Sequence, residues 1–202
     1  MDRTKALKQL KLLSQQAGSP RLAAENWKHD YQTLIATLLS ARTRDEVTII
    51  VAEKLFSKYK TLDALSKASI TDIQKIIGPV NFFRNKSKSV IGCAKKLVSD
   101  FNGKVPHNLD LLITIPGVGR KTANVFLSET GGDAIGVDTH VHYIANYLGW
   151  SKDKNPHKVE SDLKKLFPKQ KWSSVNEICV KFGKTHMSRI KKNKLLDLIK
   201  NI

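Results

Sequence analysis

The chain is poor in cysteine and lacks the long apolar segments that membranes require. Two cysteines, Cys93 and Cys179, stand among 202 residues, too few for a disulfide framework or a cysteine-only metal site. Both have apolar neighbours, so we expect them to be buried and structural. The polar first residues and the absence of a long hydrophobic run argue against a secretory signal and a transmembrane helix. The six histidines show no metal-ligand spacing, so no metal site is expected.

Acidic residues are scarce relative to basic ones. The chain has 35 Lys and Arg against 18 Asp and Glu, which gives a net charge of +17 and a pI of about 9.9. Such an excess attracts polyanions over long distances, and the lack of a membrane anchor favours nucleic acid over a membrane surface. Lysines on solvated helix faces would give the same count, so charge alone identifies no partner.

Alternating apolar and polar residues, which mark a half-buried β-strand, do not occur over a sufficient length. Apolar residues instead recur at helical spacing. In the helix that starts near Asp45 this spacing places Ile50 inward, and over about 85–101 it places Lys86 and Lys88 mostly outward. Capping residues are predicted to open helices at Asp30, Thr61, Ser69, Asp138 or Thr139, and Asn155. We therefore predict an all-α fold, large enough for one globular unit or two small lobes.

Two glycines mark a sharp turn between helices within the stretch 112–127. Gly117 and Gly119 allow the backbone to turn tightly and to approach a partner without a Cβ in the way. The second helix opens directly after them, and the amides of residues 118–122 would point outward at its N-terminus. A helix N-terminus of this kind binds anions well.

The first turn of this second helix carries two cations, Arg120 and Lys121. Cations there oppose the helix macrodipole, which indicates a bound phosphate and a lysine whose charged form is disfavoured. A carboxylate, Asp138, follows near the start of the next helix. From spacing alone, a phosphate contact for Lys121 and an N-cap for Asp138 would be sufficient explanations.

Two motifs relate these residues to a known protein family. Pro116-Gly-Val-Gly-Arg-Lys-Thr-Ala-Asn124 and Val137-Asp-Thr-His-Val141 resemble the helix-hairpin-helix and the aspartate loop of the endonuclease III family of DNA glycosylases. Two further stretches, 39–45 and 82–86, are similar to the family's DNA-facing loops. The resemblance covers nearly the whole chain.

The resemblance implies an arrangement of two helical lobes that flank a DNA-binding cleft. Residues 23–132 would form a six-helix barrel-like domain, with the helix-hairpin-helix at about 107–130. Residues 1–22 and 133–202 would form the second lobe, which carries Asp138.

The same resemblance implies a bifunctional DNA glycosylase with AP-lyase activity. Lys121 would form a Schiff base with the sugar and so permit β-elimination, and Asp138 would stabilise positive charge on the sugar ring. The substrate would be duplex DNA with an oxidised or ring-saturated pyrimidine or an abasic site, and the protein a monomer in the cytoplasm or nucleoid. The alternatives are a mismatch or uracil glycosylase and a non-catalytic helix-hairpin-helix protein that binds DNA structure.

The remaining site residues that the resemblance implies are DNA contacts. A flipped nucleotide leaves a gap in the duplex, and Arg42 and Phe82 occupy the family's wedge positions, although Phe82 alone would suit a core as well. His140 would orient the aspartate or contact the backbone. The other predicted DNA contacts are Gly117, Val118, Gly119, Arg120, Thr122, Arg84, Asn85, Lys86 and Lys88.

The chain departs from the family pattern near its end. Many relatives hold a 4Fe–4S cluster through C-x6-C-x2-C-x5-C, but here Met187 stands at the first position and no cysteine follows, so we expect neither cluster nor other cofactor. The basic segment 189–194 either keeps a DNA contact or is a solvated surface. Tyr143 stands where relatives usually have arginine, beside an unusual His142, which bears on base choice.

Overall fold

The computed structural model describes residues 2–202, and no β-strand occurs among them. The all-α prediction is therefore confirmed. The helices are α1 (Arg3–Gln16), α2 (Asp30–Ser40), α3 (Asp45–Lys58), α4 (Leu62–Ser66), α5 (Ile70–Ile77), α6 (Phe83–Phe101), α7 (Leu109–Leu112), α8 (Arg120–Glu129), α9 (Thr139–Leu148), α10 (Pro156–Leu166), α11 (Trp172–Thr185) and α12 (Arg189–Lys200), with a 3-10 helix at Lys169–Lys171.

The chain divides into two compact units. The hairpin unit comprises Arg21–Thr130 and contains α2 to α8. The terminal unit comprises the residues up to Pro20 and Gly131–Ile202, with α1 and α9 to α12. Within residues 2–202, no helix is both long enough and apolar enough to cross a membrane.

Helix α2 lies at the centre of the hairpin unit and packs against α3, α6 and α8. Apolar residues occur on all faces of this helix, and Leu34, Ile35 and Leu39 are fully buried. The predicted caps Thr61 and Ser69 are confirmed, since their hydroxyls accept hydrogen bonds from the amides three residues later, at 3.1 and 3.2 Å. The buried residues of α2 hold this helix in place, and the loops of the unit project from it and from its neighbours.

The structure contradicts the predictions for Asp30 and Ile50. Asp30 is the first residue of α2 and not its cap; His29 is the N-cap, in a capping box with Gln32, and the Asp30 carboxylate lies 2.8 Å from His107 Nε2. Ile50 is 55% exposed, because α3 turns the face that carries Ile50 to solvent.

The terminal unit closes around buried aromatic and polar groups. Helix α1 packs against α11 and α12, and α9 packs against α10, α11 and α12. The Gln9 side chain is fully buried and links three segments: Trp150 Nε1 donates to its Oε1 at 2.7 Å, and its Nε2 donates to the Ile199 carbonyl at 3.3 Å. These two hydrogen bonds give the oxygen and the nitrogen of the buried Gln9 side chain a partner each, as burial requires.

Candidate functional site

The hairpin turn requires glycine at its first position. Gly117 has φ +81°, and a Cβ there would lie 2.5 Å from Ser89 Cβ and 2.8 Å from Leu38 Cδ1, so both the conformation and the space exclude a side chain. The next amide, of Val118, donates to the Ile115 carbonyl at 3.0 Å. This hydrogen bond gives the Val118 amide a turn-closing role, and its phosphate contact stays a prediction.

The start of α8 is open and cationic. Gly119 is the N-cap, with φ −87°, and a Cβ there would meet no atom within 4 Å. Gly119 has no side chain with which to cap this helix. Arg120 and Lys121 are exposed in its first turn, whereas Thr122 is buried. The surface beside Gly119 can therefore be approached closely by a ligand that accepts hydrogen bonds and carries negative charge.

Asp138 is the N-cap of α9 in the terminal unit. Its Oδ1 accepts hydrogen bonds from the amides of His140 and Val141, at 2.9 and 2.8 Å, which confirms the predicted cap. The second oxygen, Oδ2, takes no part in this cap. The preceding connection is fixed by Asn176, whose side-chain amide donates to the Gly136 carbonyl. A half-buried carboxylate is thus held in one orientation by the backbone.

The surroundings of Asp138 in the terminal unit are tightly packed. Cys179 is fully buried, and burial, followed by the nearby Asp138 carboxylate, raises the pKa of its thiol. Gly183 lies so close to the His140 imidazole that a side chain on it would collide with the ring. His140 is therefore fixed by packing against α11. In the hairpin unit, burial raises the pKa of Cys93 to about 12, so both thiols are unreactive and structural, as predicted.

Two loops of the hairpin unit meet at Arg42 and Phe82. Both residues have left-handed backbone conformations, with φ +57° and +61°, which non-glycine residues seldom adopt. The Arg42 guanidinium lies over the Phe82 ring, 5.2 Å from its centroid. Asn81 joins the loops by donating its side-chain amide to the Arg42 carbonyl at 2.5 Å and its backbone amide to Thr43 Oγ1 at 3.2 Å. Phe82 is 57% exposed, so it is not part of the core.

Lys86 lies beneath these loops and is only 8% exposed. Its Nζ donates to the carbonyls of Leu39 and Ala41, at 2.7 and 2.6 Å, and to Thr43 Oγ1 at 3.2 Å. These three bonds use all three donors of an ammonium group. The prediction that Lys86 points outward is wrong, and its geometry favours a role in fixing the loop after α2 over direct DNA contact. Arg84, Asn85 and Lys88 are exposed.

Burial of Lys86 makes its contribution to stability depend on pH. Desolvation lowers its pKa to about 8, below its value of about 10.4 in an unfolded chain. Between these values the unfolded chain binds more protons, so the stability contributed by this group rises with pH. We expect the free energy of unfolding of wild type, relative to Lys86→Met, to increase by about 1–3 kcal/mol from pH 7 to 10. Urea unfolding of both proteins at several pH values measures this difference in the free energy of unfolding. A difference that stays constant with pH would show that the Lys86 amine is not desolvated.

Comparison with known proteins identifies the family. Residues 35–169 match the HhH-GPD superfamily of base excision DNA repair proteins. The chain belongs to this superfamily. It is 42% identical to endonuclease III of Thermotoga maritima over 155 residues, which cover 76% of this chain and 73% of that protein. It is 35% identical to endonuclease III of Bacillus subtilis over 158 residues, 77% of this chain and 72% of that protein.

Solved structures agree with this assignment. The HhH-GPD chain is similar to endonuclease III in a trapped covalent DNA intermediate, with a TM-score of 0.84 and 30% identity, covering 93% of this chain and 89% of that one. It is also similar to endonuclease III in a non-covalent DNA complex, with a TM-score of 0.85 and 30% identity, covering 94% of this chain and 89% of that one. The HhH-GPD protein is thus an enzyme of base excision repair with DNA glycosylase/lyase activity.

The residues of this HhH-GPD chain do not fit a 4Fe–4S cluster. Such a cluster requires four thiolates, and the two cysteines are buried in different units with their thiol pKa values raised. Met187 is 79% exposed between α11 and α12, and residues 188–202 contain no cysteine. Residues 2–202 also contain no group of three or more His, Cys, Asp or Glu that could hold a metal ion.

Helix α12 occupies this stretch of the HhH-GPD chain. It begins at Arg189, so the basic segment 189–194 is its first part. Sequence reasoning missed the contact that Tyr143 makes in the structure, where its hydroxyl donates to Asn193 Oδ1 on α12 at 2.5 Å. A signal for this contact was available in the sequence, because Tyr143 and Tyr147 on α9 have the same spacing as Asn193 and Asp197 on α12.

Proposed function

We propose that this protein is a bifunctional DNA glycosylase/AP lyase that removes oxidised or ring-saturated pyrimidines from duplex DNA and nicks the strand 3′ to the lesion. The observation that carries this proposal is the exposed Lys121 in the first turn of α8, directly after the open surface at Gly119. The similarity to an endonuclease III trapped as a covalent DNA intermediate supports an amine nucleophile.

Lys121 acts as the nucleophile in this proposal. Its neutral amine attacks the anomeric carbon of the lesion nucleotide, and the N-glycosidic bond breaks as the damaged base leaves with a proton. The product is an aminal whose C1′–O4′ bond then breaks, so that O4′ takes a proton and a protonated Schiff base forms between C1′ and the lysine nitrogen. This Schiff base acidifies the C2′ protons, and removal of one of them expels the 3′ phosphate by β-elimination. Water then hydrolyses the Schiff base and regenerates the amine.

Asp138 acts as the carboxylate that stabilises positive charge on the sugar. The two backbone amides that bind Oδ1 hold the group in place, and Oδ2 is left to face developing charge. A carboxylate fixed before the reaction needs little reorganisation in the transition state, which is the condition for large electrostatic stabilisation.

Arg42 and Phe82 act together as the wedge that fills the duplex when a nucleotide is flipped. Left-handed non-glycine residues cost about 1–3 kcal/mol each and persist where the surroundings impose them, often at ligand sites. Here hydrogen bonds from Asn81 and Lys86 hold the carbonyls of Arg42 and of its neighbour Ala41. We infer that the Phe82 ring enters the stack and that the Arg42 guanidinium donates to the widowed base.

The DNA backbone is held mainly by donors of the hairpin unit. Gly117, Gly119, Arg120 and Thr122 bind one phosphate at the start of α8, and the exposed Arg84, Asn85 and Lys88 bind another near the start of α6. The protein acts as a monomer, since the reaction as proposed uses residues of one chain.

The hairpin glycines offer a matched pair of variants. Gly119→Ala is expected to keep wild-type thermal stability, because φ −87° suits alanine and the added methyl group meets no atom. We expect it to weaken binding to an abasic-analogue duplex by about tenfold, because the methyl group keeps a phosphate from the α8 amides. Gly117→Ala should instead lower stability by more than 1 kcal/mol, through positive φ and collision with Ser89. Unchanged affinity in Gly119→Ala would exclude a phosphate at this turn.

Borohydride trapping tests the function. Wild-type protein is incubated with duplexes carrying thymine glycol, uracil, 8-oxoguanine or an abasic site, with and without borohydride. We expect covalent adducts with the thymine glycol and abasic duplexes, and strand nicks without borohydride. Removal of uracil without an adduct would instead indicate a monofunctional mismatch or uracil glycosylase. Tight binding with neither adduct nor base release would indicate a protein that only binds DNA structure.

A further inference from the structure

A cationic pocket lies in the terminal unit between the start of α9 and the start of α12. Its volume is about 340 Å³, and the residues that line it are Thr139, His140, Tyr143, Ile144, Arg189 and Lys192. Arg189 and Lys192 are cations, and none of the six residues is a carboxylate. Thr139 and His140 directly follow Asp138 in the chain, so two lining residues adjoin the residue whose carboxylate the proposed function uses.

The position of the two cations is fixed by contacts between α9 and α12. The Tyr143 hydroxyl donates to Asn193 at 2.5 Å, and one turn later the Tyr147 hydroxyl donates to Asp197 at 2.7 Å. The buried Leu196 and Ile199 anchor the same helix in the core of the unit. The start of α12 is therefore held against α9 and is not a loose basic tail.

The electrostatics of the pocket favour an anion. The Arg189 guanidinium and the Lys192 ammonium each lie 5.9 Å from the centroid of the Tyr143 ring, which orients them by cation–π attraction. Partial burial of Lys192 lowers the pKa of its amine, as expected of a cation that is desolvated without a carboxylate beside it. An arriving anion would relieve this cost.

We propose that Arg189 and Lys192, with Thr139 at the mouth of the pocket, bind a backbone phosphate of the lesion strand. The proposal rests on the proposed function, because DNA is the polyanion that must approach Asp138. Arginine and lysine suit a phosphodiester, one as a fork of donors and the other as a point charge. Helix α12 thus supplies a DNA contact from protein side chains alone, in the stretch where the cluster does not fit.

Paired variants of α12 test this proposal. Arg189→Ala/Lys192→Ala removes both pocket cations. Lys191→Ala/Lys194→Ala removes the same charge from exposed positions of the same helix that do not line the pocket. Affinity for a duplex with an abasic-site analogue is measured by fluorescence anisotropy at several salt concentrations. Arg189→Lys/Lys192→Arg, which keeps both charges, is the conservative variant.

The pocket variant is expected to bind about tenfold more weakly than wild type, with the slope of log affinity against log salt reduced by about 1. The control should lose less than about threefold, and the conservative variant should bind nearly as wild type. Equal losses in the pocket variant and the control would show that only general charge matters and would overturn the proposal. So would no loss in either.

Two further measurements separate the possible outcomes. Titration with inorganic phosphate tests for a free-anion site: saturable binding that the pocket variant loses, with unchanged DNA affinity, would overturn the assignment to DNA. Borohydride trapping at saturating DNA tests the chemistry independently. If the pocket variant still forms the adduct but binds DNA as wild type does, the phosphate site fails while the proposed function stands. If wild type forms no adduct, the proposed function fails.

Discussion

Lys121→Ala is expected to abolish the borohydride-trapped adduct and strand nicking while DNA binding remains within about threefold of wild type. The reason is that alanine removes the only group that forms the covalent bond, whereas the phosphate contacts at Gly119 and the wedge remain. A loss of at least about a thousandfold in adduct formation is expected, equivalent to about 4 kcal/mol of barrier. Single-turnover trapping on an abasic duplex measures it.

Arg120→Ala is the matched control for this variant. It removes a neighbouring exposed cation from the same helical turn and should weaken DNA binding without preventing the adduct. Lys121→Ala removes a charge that opposes the macrodipole of α8, so it should not lower the free energy of unfolding. An undiminished adduct in Lys121→Ala would remove this residue from the mechanism and place the nucleophile elsewhere.

Asp138→Asn is expected to lower the rate of base removal by about 10² to 10⁴-fold with little change in stability or DNA affinity. Asparagine caps helices about as well as aspartate, so its side-chain oxygen keeps the bonds to the amides of His140 and Val141. Only the negative charge is lost, and with it the stabilisation of the sugar cation. Single-turnover release of thymine glycol measures the rate.

Two variants separate the cap from the charge. Asp138→Ala removes both and should also lower the free energy of unfolding by about 1 kcal/mol. Ser69→Ala removes the N-cap of α5, so it should cost similar stability while base removal stays at the wild-type rate. If Asp138→Asn released the base as fast as wild type, the carboxylate would be only a helix cap.

The helices were predictable because their signals are local. Thr61 and Ser69 cap α4 and α5 as predicted, and the chain lacks the alternation that a strand requires. Asp138 caps α9 through the short Asx pattern that its position before a helix indicates. Asp30 misled the prediction because His29 forms a capping box with Gln32, and histidine is a rare cap.

The contacts between distant segments were not predictable in the same way. Lys86 was expected outside because the helical spacing of the apolar residues over about 85–101 marks another face. Its partners are the backbone carbonyls of Leu39 and Ala41, more than forty residues earlier. Every residue has a carbonyl, so the pattern of side chains does not indicate which ones accept a hydrogen bond from Lys86. The stacking of Arg42 on Phe82 likewise depends on Asn81 and on two left-handed residues.

The resemblance supplied the identity of the hairpin residues but not their individual roles. It matched Val118 to a motif without showing that its amide closes the turn onto Ile115. It marked Tyr143 as a departure but gave no contact for it; in the structure two cations of α12 lie over its ring and its hydroxyl donates to Asn193.

The most direct test of the account is the position of the trapped covalent bond. Wild-type protein is trapped with borohydride on an abasic duplex, digested with a protease and nuclease, and sequenced by tandem mass spectrometry. The account predicts a reduced sugar remnant on the Lys121 side chain, in the peptide that begins the α8 helix. A remnant on Lys86 or on any other amine would contradict it.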